Sequence, residues 1–277
     1  MCYNIPENII INTVIFRMEK LMRIRVKEPK KKPLVVIKDL CKRYGGKTNY
    51  AIENINIEGH EGEIIGILGH NGAGKSTTIK CITGMHPYEK GMISICGYDL
   101  VNEPIRAKQN FGYVSDEFNL FEKMTGFEYI NFLADIYGVK EKDRYARVEY
   151  FQSMFALGDS IFNEISSYSH GMKQKISLMA ALIHEPKVFI LDEPMVGLDP
   201  YTANQVKNFF REHSNKGNLV LFSSHNLDVV EKLCDRVYII DQGTLLAEID
   251  MNEFKKGGND LESYFLAITN RVARNEK

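Results

Sequence analysis

The sequence predicts an α/β fold, in which a mostly parallel β-sheet is covered by helices. Three observations indicate this class. Short β-branched runs dominate residues 34–97, helical periodicity covers residues 117–165, and helix and strand patterns alternate after residue 175. Such alternation is typical of parallel sheets, because a crossover between parallel strands needs a connection about as long as a helix.

The first 33 residues differ from the rest and are predicted to be an N-terminal extension without a packed element. Asn and Ile dominate its start, and "RIRVKEPKKKP" then sets basic residues around two prolines. Two interpretations stay open: translation begins at the internal Met18 or Met22, or the segment is a short helix on a membrane surface. A single domain is expected over residues 34–277.

Residues 34–97 are predicted to be mainly strands, and one long helix should begin between Gly74 and Ser76. The strand runs are "LVVI", "INI", "EIIGIL" and "MISI". A helical insertion is then expected at about 117–170, because apolar side chains recur there at spacings of three and four. They are Phe127, Ile130, Phe132, Leu133 and Ile136.

The last hundred residues supply the alternating elements. Helices are predicted for "ISLMAALI", "ANQVKNFFREH" and "LDVVEKLC". Strands are predicted for "KVFILDEP", "NLVLFSSH" and "RVYIID". Together with "EIIGIL", these strands would form the parallel sheet.

Composition limits the classes of partner and compartment. The 277 residues carry 35 basic and 36 acidic side chains, a net charge of -1, so no overall basic field favours nucleic acid, and none is expected as a partner. The five cysteines are scattered, which fits a reducing compartment. The apolar run "IIINTVIF" is shorter than the roughly 20 residues of a membrane helix. Membrane attachment is therefore expected only through another protein.

The strongest local pattern is "GHNGAGKS", which satisfies G-x-x-x-x-G-K-[ST] between an apolar strand and a helix. Glycines let backbone N–H groups turn towards phosphate oxygens, and the following helix presents its positive N-terminal end. Lys75 would neutralise β- and γ-phosphate charge, and Ser76 would bind Mg²⁺. The whole predicted phosphate cradle is Gly69, His70, Asn71, Gly72, Ala73, Gly74, Lys75, Ser76 and Thr77.

Two adjacent carboxylates end the predicted strand "VFILDEP". Because successive strand residues point to opposite faces, Asp192 and Glu193 should have different roles. We expect Asp192 to hold Mg²⁺ and Glu193 to orient and polarise the attacking water.

The stretch "YSHGMKQKISLMAALIHEPKVFILDEPMVGLDP" resembles the signature-to-Walker-B region and D-loop of ABC transporter ATP-binding subunits. "SSH" at 223–225 is similar to the family's switch-histidine strand, and the resemblance runs from about Leu34 to the end. It implies a P-loop NTPase (RecA-like) core, an antiparallel β subdomain and the α-helical insertion. It also implies a homodimer around two molecules of ATP, with Mg²⁺ as the second cofactor.

The resemblance assigns further site residues. Tyr44 would stack on adenine, Ser169 and Gly171 would contact the γ-phosphate held by the opposite subunit, and Asp199 would lie at the subunit contact. His225 would bind the γ-phosphate and the water near Glu193. These assignments make Lys75, Glu193 and His225 the expected catalytic set.

Two departures from the family pattern stand out. The usual L-S-G-G-Q signature is "YSHGM" here, so Ser169 and Gly171 are kept while His170 replaces a glycine. Where the family has a loop glutamine, the best register places Asp116, with Glu117 adjacent. An acid there could still bind Mg²⁺ or water, although its charge would oppose a nearby γ-phosphate.

We therefore expect an ATP-hydrolysing subunit that drives a separate integral-membrane permease from the inner face of the cell membrane. A soluble ATPase of the same superfamily, acting in assembly or maintenance, is the alternative. The aromatic side chains in 117–138 suit either a permease groove or internal core. A C-terminal helix at about 259–271 resembles that of exporter-type subunits, which favours export, with one apolar face formed by Leu261, Tyr264, Phe265 and Ile268.

Overall fold

The computed structural model describes residues 31–45 and 48–275, with side chains described to residue 270. The proposed translation starts and the membrane-surface helix fall in residues 1–30, outside the described residues. Within the described ranges, no helix is both long and apolar enough to cross a membrane.

The main sheet contains six strands in the described chain. Their order is β10-β9-β3-β8-β7-β6. All neighbours pair in parallel except β10, which pairs antiparallel with β9. The carboxyl ends of the parallel strands therefore meet at one edge. The bounds are β3 Ile64–Leu68, β6 Phe111–Val114, β7 Val188–Leu191, β8 Leu219–Ser224, β9 Arg236–Asp241 and β10 Thr244–Asp250.

A second sheet, with four strands in the same described ranges, is antiparallel and has the order β2-β1-β4-β5. Its strands are β1 Pro33–Lys42, β2 Ile52–His60, β4 Lys90–Ile95 and β5 Tyr98–Asp99. The predicted combination of a mostly parallel sheet and an antiparallel β subdomain is confirmed. Two strands of the main sheet were not predicted from the sequence: β6, at one edge, and β10, which forms a hairpin with β9.

Nine α-helices are described between residues 31 and 275. They are α1 Lys75–Ile82, α2 Pro104–Lys108, α3 Gly126–Ile136, α4 Glu141–Phe155, α5 His170–Leu182, α6 Pro200–Asn215, α7 Leu227–Leu233, α8 Met251–Lys256 and α9 Leu261–Asn275. The helix expected between Gly74 and Ser76 does start there, but it is eight residues long rather than long. Thr83 ends it, its hydroxyl bonding back to the carbonyl of Ile79.

The helical insertion begins later than predicted, because residues 117–125 form a loop before α3. Thr125 caps the start of α3 with a capping box. Its hydroxyl accepts from the Glu128 N–H, and the Glu128 carboxylate accepts from the Thr125 N–H. The predicted apolar periodicity does not form a single buried face. Ile130 is buried, whereas Phe132 and Ile136 are exposed, Ile136 to 62%.

Two apolar cores lie on opposite faces of the main sheet. In β7, Phe189 and Leu191 belong to the core shared with helices α3 to α7, while Val188 and Ile190 belong to the core against the antiparallel sheet. This division follows from the alternation of side chains along a strand. The sheet is thus fixed from both sides, and its edge can hold polar groups in defined positions.

Candidate nucleotide site

The loop between β3 and α1 needs glycine at two positions. A Cβ on Gly69 would lie 2.3 Å from the carbonyl oxygen of Ile240, and one on Gly74 would lie 2.8 Å from Ile52 Cγ2. Gly74 also has a φ of 107°, which side-chain-bearing residues rarely adopt. The tight approach of the backbone to β9 and β2 therefore fixes the shape of this loop.

The start of α1 is left open for an anion. Its N-cap, Gly74, provides no side-chain hydrogen bond, so first-turn N–H groups keep donor capacity. His70, Asn71 and Gly72 are exposed at the mouth of the loop, whereas Ala73 is buried beneath it. The second residue of this turn is Ser76, and Thr77 follows it.

Lys75 is folded back over the same loop. Its ammonium donates to the carbonyl oxygens of Gly69, at 2.8 Å, and His70, at 3.1 Å, and its side chain is almost completely buried. The cation is therefore held where the loop curves, beside the open N–H groups.

Asp192 directly follows β7 and is fully buried. Ser223 Oγ donates to its Oδ1 at 2.5 Å, while Oδ2 has no hydrogen-bond partner among the described residues. Burial raises the pKa of this carboxyl, and the nearby hydroxyls of Ser223 and Ser76 act against that rise. An unpaired buried carboxylate oxygen beside a hydroxyl suits a hard cation such as Mg²⁺.

No cluster of three or more His, Cys, Asp or Glu side chains that could hold a metal occurs in the described part of the chain. The residues fit a cation that takes one carboxylate, one hydroxyl and further oxygens from water or phosphate, as Mg²⁺ does with nucleotides.

Glu193 points in another direction from Asp192. Its Oε1 lies 3.4 Å from Lys75 Nζ and 3.0 Å from His225 Nδ1. Different roles for the two acids stay a prediction; strand alternation does not explain their different surroundings, because β7 ends at Leu191. The backbone of Glu193 instead has a φ of 49°, and its N–H donates to Ser223 Oγ at 2.9 Å.

Asp116 is brought to the same edge by β6, the neighbour of β7. The N–H of Asp192 donates to the carbonyl oxygen of Val114, two residues before Asp116. Asp116 is exposed, and its Oδ1 accepts from the Glu117 N–H and the Ser115 hydroxyl. Its charge contributes to the raised pKa of Asp192. Burial is the largest cause of that rise, and Asp116 and Glu193 add smaller contributions of the same sign.

Tyr44 lies beside the start of α1. Its hydroxyl is hydrogen-bonded to Thr77 Oγ1 at 3.2 Å, its ring is partly exposed, and His86 meets the ring edge-on. An aromatic side chain therefore lies next to the phosphate loop, as stacking on a base would need.

The signature residues lie at the start of α5. Ser169 caps this helix by accepting from the Met172 N–H, and it is exposed, with Gly171 partly exposed next to it. No hydrogen bond or ion pair in the described chain joins Ser169 to the phosphate loop. Asp199 caps α6, and hydrogen bonds from Thr202 lower the pKa of its carboxyl.

The bridging role of Ser223 was not predicted from the sequence. This hydroxyl joins Asp192 to the backbone of Glu193. The available signal was a buried serine at the end of an otherwise apolar strand, since a buried hydroxyl needs a partner. Also missed was the contact of the exposed His70 with Phe265 of α9, whose ring centroids lie 4.8 Å apart.

Comparison with known proteins identifies the family. The ABC transporter family model matches residues 52–196. A linearmycin resistance ATP-binding protein of Bacillus subtilis is 37% identical over 209 residues, covering 76% of this chain and 67% of the relative. A methionine import ATP-binding protein of Clostridium acetobutylicum is 30% identical over 238 residues, covering 84% and 71%.

Solved structures agree. An ATP-binding subunit of an ABC transporter superposes with a TM-score of 0.80 at 31% identity, over 85% of this chain and 99% of that one. A dimeric cassette bound to ADP and Pi superposes at 0.71 with 24% identity, over 78% and 98%, which shows the shared fold. With the phosphate loop and its two acids in place, this chain belongs to the ATP-binding subunits of ABC transporters, a family that hydrolyses ATP.

Proposed function

We propose that this chain is the motor subunit of an exporter: two copies close around two ATP molecules and drive a separate membrane permease. The observation that carries the proposal is the division of the site. The phosphate loop and both acids converge at one sheet edge, whereas Ser169 stands exposed at the start of α5, and among the described residues its hydroxyl accepts only an N–H of that helix. A second copy supplies the missing half.

Within one copy, we assign binding and catalysis to different side chains. Lys75, Ser76, Thr77 and the open N–H groups of α1 hold the phosphates, and Tyr44 stacks on the adenine. Asp192 and Ser76 hold Mg²⁺, with Asp116 nearby. When bound, Mg²⁺ neutralises charge on the β- and γ-phosphates.

Glu193 is the group that polarises water. Its Oε1 already contacts Lys75 and His225, so the carboxylate lies between two basic side chains at the sheet edge. When ATP arrives, the γ-phosphate competes for Lys75, which leaves Glu193 with His225 and the attacking water. A carboxylate within hydrogen-bond reach of water, together with a histidine beside it, forms a general base system.

The partner copy completes the γ-phosphate site. Ser169 and Gly171 of the second subunit would reach the phosphate through a hydroxyl and the N–H groups at the start of α5. Asp199, at the start of α6, lies on the same contact. Hydrolysis removes the γ-phosphate that both copies bind, and it is therefore the release step.

The permease would dock on exposed aromatic side chains of the helical insertion and of the loop that precedes it. Phe121 is 53% exposed, and its ring contacts Phe132 with centroids 5.5 Å apart. Ile136 lies one turn after Phe132 and is also exposed. A connected apolar surface of this kind is typical of a protein interface and supports a permease over a soluble role. Docking on the permease would place the chain at the inner face of the membrane.

The proposed direction of transport rests on the resemblance of α9 to the last helix of exporter-type subunits. One relative named above is a resistance protein and another an importer, so names alone do not decide. The C-terminal helix packs through Leu261, Tyr264 and Phe265, as the resemblance to exporter-type subunits implies.

The docking proposal can be tested with a double variant, Phe121→Ser with Phe132→Ser. The tagged wild-type chain, isolated from detergent-solubilised membranes of its source cells, should bring a multi-span membrane protein that stimulates phosphate release. The double variant should neither bring the membrane protein with it nor be stimulated by it, while its own basal phosphate release persists. Wild-type protein found only in the soluble fraction would favour the soluble ATPase.

A further inference from the structure

His170 occupies a position at which the family signature usually has glycine, and its ring contacts another loop of the site. It is the first residue of α5 and directly follows Ser169. Its ring centroid lies 4.9 Å from that of Phe118, with the planes inclined at 60°. Phe118 is two residues after Asp116, so this contact joins the signature to the Asp116 loop.

The same histidine ring meets Gly197. A Cβ on Gly197 would lie 2.4 Å from Cδ2 and 2.5 Å from Nε2 of His170, and Gly197 has a φ of 77°. Gly197 lies between Glu193 and Asp199 along the chain. The ring edge therefore fills the space that any other residue at 197 would need.

One turn further along α5, two more side chains contact the same two loops. Lys173 Nζ donates to Glu122 Oε1 at 2.6 Å, on the side of the Asp116 loop. The buried Gln174 donates from Nε2 to the carbonyl oxygen of Pro194 at 3.2 Å, next to Glu193. The first two turns of α5 are thus attached to both loops.

We propose that His170 is a positioning residue: its ring transmits movement of the signature turn to the loops that carry Asp116 and Glu193 of the same chain. The inference rests on the proposed contact of Ser169 with the partner's ATP. That contact would pull the start of α5, and a ring in contact with Phe118 and Gly197 would carry both loops with it. Glycine at this position has no side chain to do so.

The test is a double-mutant cycle on His170→Ala and Gly197→Ala, with Tyr145→Ala, an exposed tyrosine of α4, as the control. His170→Ala should lower kcat about tenfold and leave ATP affinity within about twofold, since a small misplacement of reacting groups is costly while the phosphate loop is untouched. Gly197→Ala should lose more, because its Cβ collides with the ring. The double variant should not be slower than Gly197→Ala, because removal of the ring also removes the collision.

Two results would overturn the inference: wild-type kcat in His170→Ala, or a loss in the double variant equal to the product of the single losses. If Gly197→Ala does not fold, as judged by thermal unfolding, Phe118→Ala takes its place, and its loss should also be less than multiplicative with His170→Ala. A wild-type protein that does not hydrolyse ATP, or whose Glu193→Gln variant does not dimerise, counts against the proposed function instead.

Discussion

His225 Nδ1 lies 3.0 Å from Oε1 of Glu193, and the same carboxylate oxygen lies 3.4 Å from Lys75 Nζ. The three groups come from the ends of three different main-sheet strands, because Lys75 follows β3, Glu193 follows β7 and His225 follows β8. In the sheet, β8 lies between β3 and β7. The contact among these three side chains therefore depends on the strand order, and a shift of any one of the three strand ends would change its distances.

Lys75→Ala should abolish ATP hydrolysis and weaken nucleotide binding. The buried ammonium is the fixed cation of the loop, and without it the β- and γ-phosphates lose their counter-charge. Phosphate release and ATP affinity of the purified subunit would be measured, with thermal unfolding as the check on the fold. Activity within about threefold of wild type would refute the cradle assignment.

Asp116→Gln tests the unusual loop. If the acid is only tolerated, hydrolysis by the isolated subunit should stay the same or rise, because a negative charge near the γ-phosphate and Asp192 is removed. Stimulation by the permease should change. The control is Glu117→Gln, which alters the adjacent exposed acid.

A fall of Asp116→Gln to the level of Lys75→Ala would point to a different role. Asp116 would then be a direct ligand of Mg²⁺, and raising the Mg²⁺ concentration should restore part of the rate. Unchanged coupling with unchanged hydrolysis would show that the loop does not use this acid.

Two histidines, the buried His213 and the half-buried His184, predict acid-sensitive stability. Burial lowers the pKa of His213 to about 4, and that of His184 to about 4 as well. Unfolded histidine titrates near about 6.5, so the unfolded chain binds more protons between these values. The contribution of these two histidines to the free energy of unfolding is therefore fully present above about pH 6.5 and is lost as the pH drops towards 4.

His213→Phe isolates this effect, because the ring packs against Phe189 and Phe209 and Nε2 has no partner in the described residues. Urea unfolding at pH 8 and pH 5 would be compared. Wild type should lose roughly 1 to 2 kcal/mol more than the variant over this interval, since the acidic groups titrate alike in both. Equal losses in the two proteins would contradict the prediction.

Local patterns predicted much of this molecule. The phosphate loop depends on residues within one short stretch, so glycine spacing and the following helix could be recognised directly. Asp192 and Glu193 were recognisable because two acids end an apolar run. The family resemblance added Tyr44, Ser169, Gly171 and His225. The local sequence around each of these residues would not have identified it as a site residue.

The relationships that the sequence did not reveal are non-local. Ser223 joins the two acids only because β8 lies beside β7, and His170 meets Phe118 and Gly197 only because α5 starts between their loops. The outward direction of Ile136 depends on which face of α3 finds a partner. Helical spacing gives the period of a pattern, while packing decides which face is buried.

The final prediction concerns the mechanical role of ATP. Glu193→Gln keeps the shape of the side chain but removes the carboxylate proposed to polarise water, so ATP should bind and remain uncleaved. The variant should then sediment as a dimer with ATP and as a monomer without it. Ser169→Arg in the same background should abolish this dimer by filling the γ-phosphate contact, while Tyr145→Ala should not. A monomer at saturating ATP would contradict the closed dimer, and wild-type hydrolysis by Glu193→Gln would remove Glu193 from its proposed role.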